Sequence, residues 1–273
     1  MANSRIRIDC ILMNLFGLSS KWKVRLKFSL QIHTSYIWHL QSKYSIIIKH
    51  ETLLSQFKET SVMKKALIFD IDGTLWDSRR PVAIAWDHII EQETGKSQGL
   101  NAENVSYLFG KPMDEIAALL FPGKTKEQQM ALGRKCFDYE TEYLADDPGA
   151  LFPNVRQTLE TLAKSYPLYI VSNCQCGYIQ VFLACTGLSP LFQGHLCFGD
   201  TGTSKGKTIR RLMSEHGITD AVYIGDTQGD ADACKEADVP FVFAEYGFGS
   251  VKEADNTIQA FSDLLSLFPA DSL

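Results

Sequence analysis

Apolar residues along this chain arrive in short, unbroken runs that stop at polar or small residues. Ala66-Leu67-Ile68-Phe69 ends at Asp70, residues 168–171 end at Ser172, and residues 222–224 end at Gly225. Residues 239–243 form a fourth run, and 196–198 a weaker one. Runs that are apolar at every position, rather than every second one, mark strands covered on both faces, as parallel strands are. Helical patterns separate them. Val155, Leu159, Leu162 and Ala163 share a face within 153–165, with Pro153 placed at the helix start. Ile209, Leu212 and Met213 share another within 207–216, and Gly217 is placed to stop it. This alternation predicts a doubly wound α/β domain with a parallel sheet, a Rossmann-like core.

Residues 79–150 break the alternation. Helical segments are expected near 81–94, 112–120 and 126–145, between glycine and proline breaks, with no strand among them. The expected organisation is therefore an α/β core from 63–78 and 151–273, with 79–150 inserted as a helical cap.

The first 62 residues follow neither pattern. They hold nine Lys or Arg against three acids, a net of +6, with one glycine and no proline. The remaining 211 residues carry 18 basic and 29 acidic side chains, a net of −11, and all nine prolines. A fold needs turn residues, and the leading segment lacks them. Residues 10–18 follow two arginines as a signal peptide's apolar stretch does, but Asp9 and Asn14 interrupt the region and no small-residue cleavage site follows. Scarcity of acids also suits a transit peptide. Met63 opens directly onto the first strand, and Lys58-Glu59 is encodable as a purine-rich, ribosome-recruiting run just upstream. Residues 1–62 are accordingly expected to be non-native leader from a start placed too far upstream, or a disordered extension.

Composition excludes some classes. No stretch approaches the 18 or so uninterrupted apolar residues of a membrane span. The overall charge of −5 opposes bulk binding to nucleic-acid phosphates. Seven cysteines, an odd number at irregular spacing, suggest reduced thiols in a cytoplasmic protein. Cys174-Gln175-Cys176 leaves one residue between thiols, short of the usual zinc spacing, and is read as structural.

Ligands of open α/β sheets bind at the carboxyl ends of the strands, and acids collect there. The first strand ends Asp70-Ile71-Asp72-Gly73-Thr74, another ends Ser172-Asn173, Lys205 precedes a helix, and a later strand ends Gly225-Asp226-Thr227-Gln228-Gly229-Asp230. Crowded carboxylates repel, and a divalent cation is their natural compensator. Any one aspartate in such a place can equally be a cap or a turn former. Gly199-Asp200-Thr201-Gly202 imitates the last motif, but Ser204 stands where its second acid belongs, so it is read as a decoy.

These four motifs, in this order, resemble those of the haloacid dehalogenase superfamily, specifically its phosphoglycolate-phosphatase-like members with a helical cap after the first motif. The resemblance spans residues 63–273. It implies a hydrolase of phosphoric monoesters that needs Mg2+ and works through an aspartyl-phosphate. Asp70 would be the nucleophile, and Asp72 the acid that protonates the leaving group and then the base that activates water, its pKa raised by adjacent negative charge. Mg2+ would be held by an Asp70 oxygen, the Asp72 carbonyl and Asp226, with Asp230 either a ligand or an outer acid. Ser172, the Asn173 backbone N–H and Lys205 would hold the phosphoryl oxygens, and Thr74 would order the loop. Lys207 competes with Lys205; the Lys205-Gly206 pair fits the family's register better. Asp72 favours phosphoryl transfer over dehalogenation, which needs no leaving-group acid.

Substrate choice is less marked. Phe109-Gly110-Lys111-Pro112 is similar to the cap loop that closes over substrate, which makes Lys111 a candidate contact. Arg79 and Arg80 either bind an anionic substrate or are solvated at a helix start, and 245–249 is a candidate for the site mouth. The expected partner is a small phosphorylated metabolite, with the chain a monomer or homodimer. Two other readings stand: a β-phosphoglucomutase-like phosphotransferase, and a non-catalytic phospho-ligand-binding or regulatory protein.

Overall fold

A computed structural model describes residues 65–269, so the expectations for residues 1–62 lie outside the described residues. Six parallel strands form one sheet in the order β5-β4-β1-β6-β7-β8. They are β1 (Ala66–Phe69), β4 (Leu168–Ser172), β5 (Phe192–Cys197), β6 (Ala221–Gly225), β7 (Phe241–Ala244) and β8 (Asn256–Ile258). Their alternate residues enter two different layers. Leu67 and Phe69 of β1 join a core with Ile170, Ile224 and Val242, whereas Ala66 and Ile68 join Val171, Tyr223 and Phe243 on the opposite face. Burial on both sides is why these runs are apolar throughout. It stabilises the sheet by roughly 1.5–3 kcal/mol for each fully buried large side chain.

The chain leaves β1 through a two-residue strand, β2 (Trp76–Asp77), and then makes three helices: α1 (Arg79–Thr94), α2 (Met113–Leu120) and α3 (Lys126–Asp146). It returns through β3 (Ala150–Leu151), which pairs antiparallel with β2, Trp76 opposite Leu151 and Asp77 opposite Ala150. The inserted helices thus begin and end side by side. Helices α4 (Val155–Leu162), α5 (Tyr178–Thr186), the short α6 (Phe198–Thr201), α7 (Lys205–His216), α8 (Gln228–Ala237) and α9 (Leu264–Leu267) complete the layers. Helix α7 packs Ile209 and Leu212 against one face with α8, while Phe182 of α5 and Leu159 of α4 cover the other.

Departures from expectation have local causes. Helix α4 starts at Val155 rather than Pro153, because Asn154 takes a left-handed conformation (φ 63°). β5 extends back to Phe192 through polar Gln193 and His195, which an edge strand tolerates. No helix among the described residues is long and apolar enough to cross a membrane.

Candidate active site

The order of strands reverses around β1, whose neighbours β4 and β6 are reached by opposite crossovers. Such a switch leaves a crevice at the strands' carboxyl ends, and the motif residues meet there. Asp70 follows β1, Ser172 ends β4, Asp226 follows β6, and Lys205 opens α7; all four side chains are buried. Lys207, by contrast, faces solvent.

Lys205 Nζ lies 3.2 Å from Asp70 Oδ1 and 2.6 Å from Asp230 Oδ1. Burial works against its charge, but Asp230 and Asp70 hold it above the ordinary lysine range. Asp70 Oδ1 accepts no hydrogen bond of good geometry. Burial raises the Asp70 carboxyl to about 7, opposed by Lys205 and helped by the charges of Asp230 and Asp72. Asp226 is pushed well above the carboxylate range, by burial and then by Asp230 and Asp70. Carboxylate oxygens of Asp70, Asp226 and Asp230 lie within 4.8 Å of one another. Three buried acids against one ammonium, with an oxygen left unbonded, suit a hard divalent cation.

The three are not equivalent. Asp230 caps α8: its Oδ2 accepts from the N–H groups of Asp226 (3.2 Å) and Thr227 (2.9 Å) and from Thr227 Oγ1 (2.7 Å), while Oδ1 takes Lys205. Both oxygens are engaged, so Asp230 is built to position its neighbours. Asp226 is lightly held, by Thr74 Oγ1 at 3.4 Å and the Phe248 N–H at 2.7 Å. Gly73 (φ +80°) makes the approach possible: a Cβ there would lie 2.1 Å from Asp226 Oδ2. Thr74, fully buried, ties the loop after β1 to Asp226 through that Oγ1 bond.

Asp72 has different surroundings. Its Oδ1 accepts from Ser78 Oγ (2.5 Å), Tyr178 OH (2.6 Å) and Trp76 Nε1 (2.9 Å), and no hydrogen bond to Oδ2 is found. Its pKa is raised, as expected, but for another reason: burial does it, against those three donors, with no neighbouring anion among the causes. Ser78, Trp76 and Tyr178 escaped the sequence reading. Trp76 and Ser78 follow the first motif closely, and a polar pair just after an acidic loop was the signal available; Tyr178 is brought from over a hundred residues away by α5.

Asp72, Ser172 and Asn173 line an inner cavity of about 40 Å3 with Lys111, Cys174 and the apolar Trp86, Phe109, Ile116 and Phe137. A wider cavity of about 640 Å3 lies beyond, where Lys111, Asn173 and Lys205 meet Thr227 and Phe248. Asn173 Nδ2 donates to the Gly110 carbonyl at 2.9 Å, tying the end of β4 to the inserted helices. Glu140 of α3 also faces the inner cavity. Burial lifts it to about 8, against a 2.5 Å bond from Trp86 Nε1 and with help from the Asp72 charge. Arg79, half-buried at the start of α1, pairs with Asp77 at 2.6 Å and lies 4.3 Å over the Phe248 ring. Arg80 is solvated and pairs with Asp147.

Residues 67–244 match the family model of the haloacid dehalogenase-like hydrolases. A phosphoglycolate phosphatase of Photorhabdus laumondii is 30% identical over 225 residues, covering 77% of this chain and 94% of its own. One from Aquifex aeolicus is 28% identical over 215 residues, covering 74% and 96%. Among solved structures, a haloacid dehalogenase-like hydrolase from Streptococcus pneumoniae superposes with a TM-score of 0.65 at 22% identity, over 76% of this chain and 99% of its own. A superfamily hydrolase from Geobacter sulfurreducens gives 0.57 at 20%, over 76% and 97%. These two likenesses bear on the fold.

Proposed function

The chain belongs to the haloacid dehalogenase-like hydrolases, and from that premise we propose that it is a Mg2+-dependent phosphomonoesterase working through an aspartyl-phosphate. Its substrate is a small phosphorylated metabolite; since its curated relatives are named for phosphoglycolate, that compound is the first to test. One observation carries the reading. Asp70 has a buried, unbonded oxygen beside Lys205, two residues from an acid whose proton site is separately defined.

Asp70 attacks phosphorus in line and displaces the alkoxide. Three donors occupy Oδ1 of Asp72, so Oδ2 carries the proton that goes to the leaving oxygen, then takes one from the water that hydrolyses the acyl phosphate. Lys205, Ser172 and the Asn173 N–H hold the phosphoryl oxygens. Asp70, Asp226 and the Asp72 carbonyl would hold Mg2+, which supplies positive charge to the transferring group. Asp230 positions Lys205 and the 226–227 turn rather than ligating. Residues 79–150 act as the cap over the core of 63–78 and 151–273, with Lys111 reaching the substrate. Free thiols at all six described cysteines accord with a reducing, cytoplasmic setting.

A β-phosphoglucomutase-like phosphotransferase is the alternative, and the product formed separates the two. Release of inorganic phosphate by the full chain with Mg2+, across a panel of phosphorylated metabolites, tests the proposal. Asp70→Asn should lower turnover at least about a thousandfold with an unchanged circular dichroism spectrum. Isomerised sugar phosphate without phosphate release would favour the phosphotransferase. Inactivity on every ester would favour a binding protein.

A further inference from the structure

The cysteines of 174–176 and the imitation motif of 199–202, separate in the sequence, are pressed together in the fold. β4 and β5 are neighbours with Ser172 in register with Cys197, so the segments leaving their ends run side by side. The Gly199 N–H donates to the Cys174 carbonyl at 3.1 Å. A Cβ on Gly199 would stand 2.3 Å from Cys176 N and 2.9 Å from its Sγ, so only glycine permits the approach. Asp200 then takes both thiols. Its Oδ2 accepts from Cys197 N at 2.9 Å and from Cys197 Sγ–H at 3.1 Å, and its Oδ1 accepts from Cys176 Sγ–H at 3.5 Å.

Ligand atoms of Cys176, Cys197 and Asp200 all lie within 4.8 Å of one another. Cys174 lies beside them and draws the Cys197 pKa down against its burial. Cys176 and Asp200 are exposed, so the cluster is open to solvent, and its cysteines are free.

We propose that Cys176, Cys197 and Asp200, with Cys174 beside them, bind a borderline divalent cation of the zinc class at a second site, made of different residues from the all-oxygen centre. Two S–H protons now hold three donors around one point. A divalent ion entering there displaces both protons to solvent and forms two metal–thiolate bonds and one metal–carboxylate bond. Sulfur donors select zinc over magnesium, which demands oxygen and retained water. Tetrahedral zinc with sulfur at about 2.3 Å sets its donors roughly 3.8 Å apart, so the cluster needs to close by at most about 1 Å. The short Cys-x-Cys spacing is no obstacle, because the remaining donors come from the end of β5 and from α6. The bound ion would restrain the 173–177 segment, which carries Asn173 to Gly110 and, through Gln175 Nε2, bonds the Phe137 carbonyl of α3 at 3.1 Å.

Cobalt(II), zinc's spectroscopic stand-in, provides the test. The full chain is titrated, reduced and anaerobic, with saturating Mg2+ occupying the oxygen ligands. One equivalent should bring up sulfur-to-cobalt charge-transfer absorption in the near ultraviolet, and zinc should abolish it by displacement. Oxygen-only coordination gives no such band. Cys176→Ser, at an exposed position, should weaken cobalt binding at least about tenfold while leaving Mg2+-supported phosphate release unchanged. Cys197→Ser should remove the band. A wild-type chain without the band, or one whose band survives unchanged in both serine variants, overturns the proposal. So does a reduced chain that shows no band yet forms a disulfide among these cysteines on exposure to peroxide, which would make them a redox pair.

Discussion

Asp70 and Asp72 stand two positions apart and receive opposite treatment. One oxygen of Asp70 is stripped of hydrogen bonds, whereas one oxygen of Asp72 is saturated by three donors. Environments that differ this sharply divide nucleophile from proton carrier. Tyr178→Phe tests the division. Removing a donor to the carboxylate raises the Asp72 pKa further, and Asp72 must be protonated for the leaving group to depart. The alkaline limb of the kcat profile should therefore move up by about one pH unit; an unmoved limb would sink the role given to Oδ1. The acids themselves were readable because each pair lies within one short motif. Tyr178 and Glu140 were not, since a polar group on an apolar helix face leaves no period, and its partner is supplied only by packing.

Helices α1 and α3 of the insertion are joined by the buried bond from Trp86 to Glu140. The Glu140 carboxyl titrates near 8 in the fold against about 4.5 when unfolded. Between those values the native state binds more protons, so its stabilising contribution is present at low pH and is lost as pH rises through about 8. The urea midpoint of the metal-free chain should fall from about pH 6 to pH 9, and Glu140→Gln, which keeps the acceptor without the charge, should flatten the decline. An equal slope in the variant would contradict this. At the scale of elements, the central strands were readable because burial on two faces leaves them apolar throughout. Helix α5 was missed for the same reason, being apolar nearly all round, and α8 because its buried positions besides Asp230 are alanines and a cysteine.

Across the whole molecule, Lys205 is the point where the layers meet: it rises from α7 on one face and pairs with acids that follow β1 and open α8. Lys205→Gln leaves two buried carboxylates without their cation. It should cost about 3–5 kcal/mol in urea unfolding at pH 8, and less at pH 5, where Asp70 takes up a proton instead. A pH-independent loss would mean that packing, not charge, is what the lysine supplies. That helices and no long strand fill the stretch between the first and second long strands was readable from the break in alternation. The ribbon that closes it was not, because two residues on each side are too few to make a pattern. That ribbon has a consequence for descent. β2 and β3 leave and return about 4.8 Å apart, so to the sheet the three helices between them amount to a hairpin turn. A lineage can lengthen, replace or delete such a turn without moving Asp70 or Asp226.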